Sequence, residues 1–160
     1  MPEIVLTTAI DAPPERCFDL ARSIDLHVAT QLPSDERAIA GKTSGLIELG
    51  ESVTWRAHHF GVYWTLTSRI TAFERPRYFQ DRMEKGPFAR LEHDHMFVAC
   101  GGGTIMIDRF AFASPLGILG RIADRLLVGP HLDRLLRSRA AAIRIVAESD
   151  MARRFLRAGA

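Results

Sequence analysis

His93 and His95 form a His-x-His pair in a run of alternating apolar and polar residues. On a β-strand that spacing turns both imidazoles to one face, roughly 7 Å apart at the backbone. Two histidines so placed can share a metal ion, with Asp81 or Asp108 completing a three-ligand set. They can equally be hydrogen-bonded pocket histidines, or an acid–base pair in which a carboxylate orients an imidazole and raises its pKa. The expectation is hydrogen-bonded histidines with no metal and no cofactor, and the pattern names no catalytic residue. Asp81 shares a strand face with Phe79 and Met83, and Asp108 with Met106 and Phe110, so both carboxylates can point inward. A fifth polar group, Arg139, interrupts an apolar helical stripe between Leu136 and Ile143. A buried guanidinium needs an acidic partner or water, because desolvation costs several kcal/mol. Arg139 is then either a polar anchor inside an apolar pocket or a structural group whose stem packs while its head reaches solvent.

Other signals of chemistry are weak or absent. His58 and His59 adjoin and face opposite sides of a strand. There is no Gly-x-Ser-x-Gly elbow, no Walker sequence and no Gly-x-Gly-x-x-Gly after a strand. Gly101-Gly102-Gly103 lies between two strands with no helix N-terminus behind it and reads as a turn. Trp55, Trp64, Phe60, Phe73, Phe79, Phe97 and Phe110 can line a cavity or fill a core.

The elements that must position these residues follow from periodicity. Residues 3–10 are rich in β-branched side chains and end at Asp11-Ala12-Pro13-Pro14, which predicts a strand and then a helix capped by Asp11 or Ala12, with Pro14 in its first turn. A second short helix is expected from Ile24 to about Gln31, and a mobile loop from Pro33 to Gly45. From Leu46 to about Phe112 the period is two, the signature of antiparallel strands with one face buried. Val53, Trp55, Ala57 and His59 share one face, as do Val62, Trp64, Leu66, Ser68 and Ile70, and Leu91, His93, His95 and Phe97. Beyond Pro115 the chain reads as helical to its end, with an interruption at Gly129-Pro130. Leu132, Leu135, Leu136, Ile143 and Val146 then form one stripe of a long helix. The order predicts an α+β domain spanning 1–160, with an antiparallel sheet curled over the C-terminal helix.

Composition narrows the function classes. The 160 residues carry a net charge of +2, far from the basic excess of a nucleic-acid binder. No run of about 18 apolar residues and no signal-peptide pattern is present, so a cytoplasmic location is expected. Cys17 and Cys100 stand in no metal-binding or disulfide-framework spacing. Charge is nonetheless uneven: nine arginines face four acids from Gly117 onward. A basic C-terminal helix of this kind can make a weak contact with an anionic surface, or simply present a solvated face.

Together with this element order, Phe79-Gln80-Asp81-Arg82-Met83-Glu84-Lys85-Gly86-Pro87-Phe88 resembles the START-like superfamily, also called SRPBCC or polyketide cyclase/dehydrase and lipid transport. Leu91-Glu92-His93-Asp94-His95-Met96-Phe97, Thr104-Ile105-Met106-Ile107-Asp108 and Pro115-Leu116-Gly117 resemble a bacterial subgroup of single-domain members. The likeness implies a helix-grip fold, with a deep cavity between the curved sheet and the C-terminal helix and a hydrophobic, lipid-like or polyketide-like ligand. It implies polar positions at Asp81, His93, His95 and Asp108, beside Arg139 from the helix stripe. The expected lining is drawn from Trp55, Trp64, Leu66, Met83, Phe97, Met106, Leu135 and Leu136. The superfamily hosts both carriers or sensors and enzymes, so a binding protein and a cyclase or dehydratase using His93 or His95 with Asp81 or Asp108 both stay open. The chain lacks a Rieske Cys/His set and the glycine-rich loop of the plant allergen branch, which points away from oxygenase and plant-hormone roles.

Overall fold

A computed structural model describes residues 1–31 and 34–157. Strand β1 (Glu3–Ile10) leads into helices α1 (Pro14–Ala21) and α2 (Ile24–Thr30). Strands β2 (Arg37–Gly41), β3 (Ser52–His59), β4 (Val62–Glu74), β5 (Tyr78–Lys85), β6 (Arg90–Cys100) and β7 (Gly103–Ala113) follow. Helices α3 (Gly117–Ala123), α4 (Gly129–Ala147) and α5 (Ala152–Leu156) complete the chain, with a π-helical turn, Asp124–Val128, between α3 and α4. The strands form one antiparallel sheet in the order β1-β7-β6-β5-β4-β3-β2. Register shifts within the β2–β3 and β4–β5 pairings mark bulges, which bend and twist the strands around the helix. This is the helix-grip α+β fold expected from the element order.

The inner faces follow the period-two pattern. Val53, Trp55 and Ala57 on β3, alternate residues of β6 from Leu91 to Phe97, and alternate residues of β7 from Thr104 to Phe112 are buried. Phe18 of α1 is the hub of one core cluster: its ring meets the edges or faces of Phe73, Phe79 and Phe97 at centroid distances of 5.2, 5.2 and 5.4 Å. The α4 side of this cluster is Ala140, Ile143, Val146 and Ala147. A second cluster gathers Leu91, Phe110 and Phe112 with Leu132 and Leu136.

The local expectations need three corrections. The expected mobile loop contains edge strand β2, which pairs with β3; it is only five residues long and mostly exposed, so it shows no polar–apolar alternation. Leu32 and Pro33, and residues 158–160 at the end of the expected terminal helix, lie outside the described residues. The N-cap of α1 is Pro13, which makes no side-chain cap, while Asp11 instead donates its backbone N–H to Glu148. Helix α2 ends at Thr30 and is capped by Ser23, whose Oγ accepts the Leu26 N–H. Gly129-Pro130 does not interrupt the helix: Gly129 N–H donates five residues back to the Asp124 carbonyl, and Pro130 falls in the first turn of α4, where no N–H is required. A Cβ on Gly129 would lie 2.6 Å from that carbonyl, so the π turn requires glycine here.

Phe18→Ala is expected to cost about 3–5 kcal/mol of stability. Denaturant unfolding measures it, and a loss below about 1 kcal/mol would show that the aromatic hub is not what secures α1 to the sheet.

Candidate functional site

Strand β6 lies between β5 and β7, so three adjacent strands build one polar cluster. The register places Asp81 opposite His93 and His95 opposite Asp108. The hydrogen bonds run along the diagonals: His93 Nε2 to Asp108 Oδ1 at 3.0 Å and His95 Nε2 to Asp81 Oδ2 at 3.0 Å. His95 Nδ1 also lies 3.0 Å from Asp108 Oδ1, but without hydrogen-bond alignment. The imidazoles overlap with centroids 3.7 Å apart, His95 stacks on Phe79 at 4.1 Å, and Phe110 closes on His93 at 5.0 Å. An aromatic box thus surrounds four ionisable groups.

Burial and contact divide the protons. Burial alone would raise both carboxylates, but hydrogen bonds and the charges of the two histidines hold Asp81 and Asp108 below the ordinary carboxylate range. Burial and the neighbouring His95 push His93 down. Burial acts against His95 as well, yet contacts to Asp108 and Asp81 raise its pKa. The cluster therefore holds two carboxylates and divides its imidazoles: His95 is the more basic ring, and His93 is the one left neutral near neutrality. Because ionised Asp108 can only accept, His93 carries its proton on Nε2 and turns the lone pair of Nδ1 toward Asp81, whose Oδ2 is 3.9 Å away.

This arrangement can accept a proton or a hydrogen bond from a bound molecule at His93 Nδ1. It also offers three ligand atoms, from Asp81, His93 and His95, all within 4.8 Å of one another, with Asp108 behind them to orient both rings. The hydrogen bonds satisfy most of these groups without an ion, so the geometry accommodates a cation and does not require one.

The cluster meets a cavity of about 370 Å³ between the sheet and α4. Of the expected site residues, Trp55, Trp64, Leu66, Asp81, His93, Leu135 and Arg139 line it, as does Leu136. His95 and Asp108 lie off the wall, behind His93. Met83, Phe97 and Met106 do not line the cavity: Phe97 and Met106 are packed in the core around Phe18, and Met83 packs against the second cluster. The reason is the depth of α1, which fills the end of the sheet toward which Phe97 and Met106 point. Arg139 finds neither expected carboxylate: its Nη2 donates to the Ala21 carbonyl at 2.7 Å, and it makes no ion pair among the described residues.

The cavity also contains polar residues not singled out from sequence as site residues. His27 stacks on Trp55 at 4.2 Å, with Nε2 3.3 Å from Glu36 Oε1, and His59 shares a hydrogen bond with His131 at 3.1 Å. Burial lowers the pKa of His27, His59 and His131. Burial acts to raise Glu36, but the nearby His27 and Arg139 outweigh it and keep Glu36 ionised. His131 could have been found, since His131, Leu135 and Arg139 recur at steps of four along one helix face. Glu36 could not, because it precedes a strand that left no periodic trace.

Asp108→Asn removes the charge that both histidines face, and it is expected to cost about 3 kcal/mol at neutral pH. Because the folded-state pKa values of Asp81 and Asp108 are lowered, their contribution is present above about pH 4 and is lost as pH falls below it. Asp108→Asn should therefore lose less stability than the wild type on acidification. Nitrogen NMR of the imidazoles should show His95 doubly protonated above about pH 6.5 and His93 singly protonated below it. A neutral His95 at about pH 6.5 would contradict the charge assignment.

No protein-family model and no curated protein matches the chain. Solved structures do. The Zhui aromatase/cyclase of Streptomyces sp. R1128 superposes with a TM-score of 0.73 at 15% identity, covering 92% of this chain and 93% of its own. TTHA0849 of Thermus thermophilus gives 0.70 at 20% identity, covering 92% of this chain and 100% of its own. A START superfamily protein of Mycobacterium smegmatis gives 0.67 at 12% identity, covering 90% and 98%. The chain thus has the helix-grip fold of START/SRPBCC-type proteins over nearly its whole length.

Proposed function

We propose that the protein binds a hydrophobic small molecule, lipid-like or polyketide-like, as a carrier or sensor, with the ligand's polar end against Arg139, His93 and Asp81. The observation that carries this reading is a half-buried guanidinium, with no carboxylate ion pair among the described residues, on the wall of a largely apolar cavity. Trp55, Leu66, Leu91, Phe110, Leu132 and Leu136 supply apolar wall, worth about 25 cal/mol for each Å² of ligand surface removed from water. Such walls give affinity, and a few fixed polar groups give orientation. The unused donors of Arg139 suit an acidic or carbonyl-bearing end, and His93 Nδ1 suits a hydroxyl. Asp108 acts from behind by fixing the tautomer of His93, and His95 by holding Asp81. No nucleic-acid role is proposed. No helix among the described residues is long and apolar enough to cross a membrane.

One observation favours a second, enzymatic reading. His93 lines the cavity, with Asp108 bonded to its Nε2 and Asp81 3.9 Å from its Nδ1, an environment suited to a general base for a cyclase or dehydratase reaction. The Zhui protein, which shares the fold, is an aromatase/cyclase.

Arg139→Leu is expected to weaken an acidic amphiphile about 10–100-fold, the worth of a charge-assisted hydrogen bond, and a neutral analogue far less. Equal losses for both, read by calorimetry or fluorescence titration, would remove the anchoring role. Turnover of a β-keto substrate analogue that vanishes in His93→Ala would establish the enzymatic reading. Turnover that is unaffected in His93→Ala would exclude His93 as its base.

A further inference from the structure

Amphipathic helices on globular proteins bury their apolar side. Helix α3 and the π turn do the reverse. Ile118, Leu119, Ile122 and Leu126 recur at helical steps along one side and are 67, 70, 51 and 70% exposed. Leu116 and Leu127 extend the same patch. The inward side is instead Gly120 and Asp124, four residues apart, both buried. A Cβ on Gly120 would lie 2.0 Å from the Pro115 carbonyl, and Asp124 Oδ2 accepts the Ser114 N–H at 3.0 Å. This close packing and this buried hydrogen bond leave the helix no means of rolling its apolar side inward.

The position of the segment is as informative as its orientation. It is bracketed in sequence by residues that line the cavity, Ser114 and Pro115 before it, Val128 at its end and His131 after it. Phe60 and Trp64, also lining residues, are 53 and 41% exposed and mark the open end. The apolar patch therefore borders the mouth. Its charge has one sign: Arg121 and Arg125, four residues apart, are exposed on the flank of the patch, while Asp124, the only acid of the segment, is turned inward.

We infer that the α3–π segment docks on an anionic lipid bilayer, with Ile118, Leu119, Ile122 and Leu126 entering the interface and Arg121 and Arg125 resting on phosphate groups, so that the cavity opens onto the membrane. Exposed apolar area rimmed by cations is the composition of interfacial helices, and arginine forms paired hydrogen bonds to phosphate oxygens. A protein partner or a second copy would cover apolar area too, but a self-interface would set Arg121 and Arg125 near their own copies with no exposed acid in the segment to meet them. The inference rests on the proposed ligand reading, since it gives a lipid-like molecule a path that avoids water.

The test is co-sedimentation of the full chain with vesicles of phosphatidylcholine alone and of an equimolar mixture with phosphatidylglycerol, beside binding of a dansyl-labelled fatty acid without vesicles. The wild type should bind the mixed vesicles and scarcely the neutral ones. Leu119→Glu/Leu126→Glu should lower vesicle binding at least about tenfold and leave fatty-acid binding unchanged, because neither side chain lines the cavity. Arg121→Ala/Arg125→Ala should lose the preference for anionic vesicles, and rising salt should imitate that loss. Absence of wild-type binding, undiminished binding by the Glu variant, or a concentration-dependent dimer abolished by that variant would overturn the docking inference. Fatty-acid binding that fails while vesicle binding persists would overturn the ligand reading and leave the docking surface standing.

Discussion

Two carboxylates and two imidazoles on the inner face of one sheet must settle their charge among themselves, and much of the site follows from how they do it. Breaking one member of such a buried set leaves its partners uncompensated, so the four side chains hold strands β5, β6 and β7 to a single register. A one-residue slip would send all the histidines of β6 to the outer face. The aromatic rings of Phe79 and Phe110 exclude water from the cluster and strengthen its internal contacts. The outcome is directional: Asp108 and His95 face the interior, and His93 and Asp81 present a lone pair and a carboxylate to the cavity.

Helix α4 is shared between two tasks along its length. Its C-terminal half, through Ala140, Ile143, Val146 and Ala147, closes the core against α1 and the sheet. Its N-terminal half touches the sheet only through Leu132 and Leu136 against Leu91, Phe110 and Phe112, and there Leu132, Leu135, Leu136 and Arg139 are only partly buried and border the cavity. Arg139 sits at the transition. The Ala21 carbonyl at the C-terminus of α1 receives one of its donors, so the junction of α1 and α2 both bounds the cavity and orients the cation. The packed core and the cavity are thus separated in space, with the Phe18 cluster at one end and the open mouth at the other.

The mouth carries the feature least like an ordinary globular surface. Gly120 allows α3 to press on the backbone of Pro115, and Asp124 satisfies Ser114, so the inner side of the segment is small and polar. Its large apolar residues are left uncovered by the described residues. The π turn then feeds this segment into α4 without a break, which couples the outward-facing helix to the helix that forms one cavity wall.

Most of the architecture is legible in the residues alone. Period-two alternation assigns the inner faces of β3, β4, β6 and β7, because one buried face forces apolar side chains onto every second position, and the stripe from Leu132 to Val146 marks α4. The inward turn of Asp81, His93, His95 and Asp108 is available for the same reason. Strand β2 is not, since an edge strand of Arg37–Gly41 draws its hydrogen bonds from β3 and needs no pattern of its own. Nor is the continuity of α3 with α4, because proline reads as a stop until a π turn removes the need for its N–H. The partners within the cluster, the carbonyl that meets Arg139, and the exclusion of Met83, Phe97 and Met106 from the cavity are decided only by tertiary structure. Periodicity states which face a residue occupies; how far along that face the core ends and the cavity begins depends on what packs opposite, and here that is α1 and the two halves of α4.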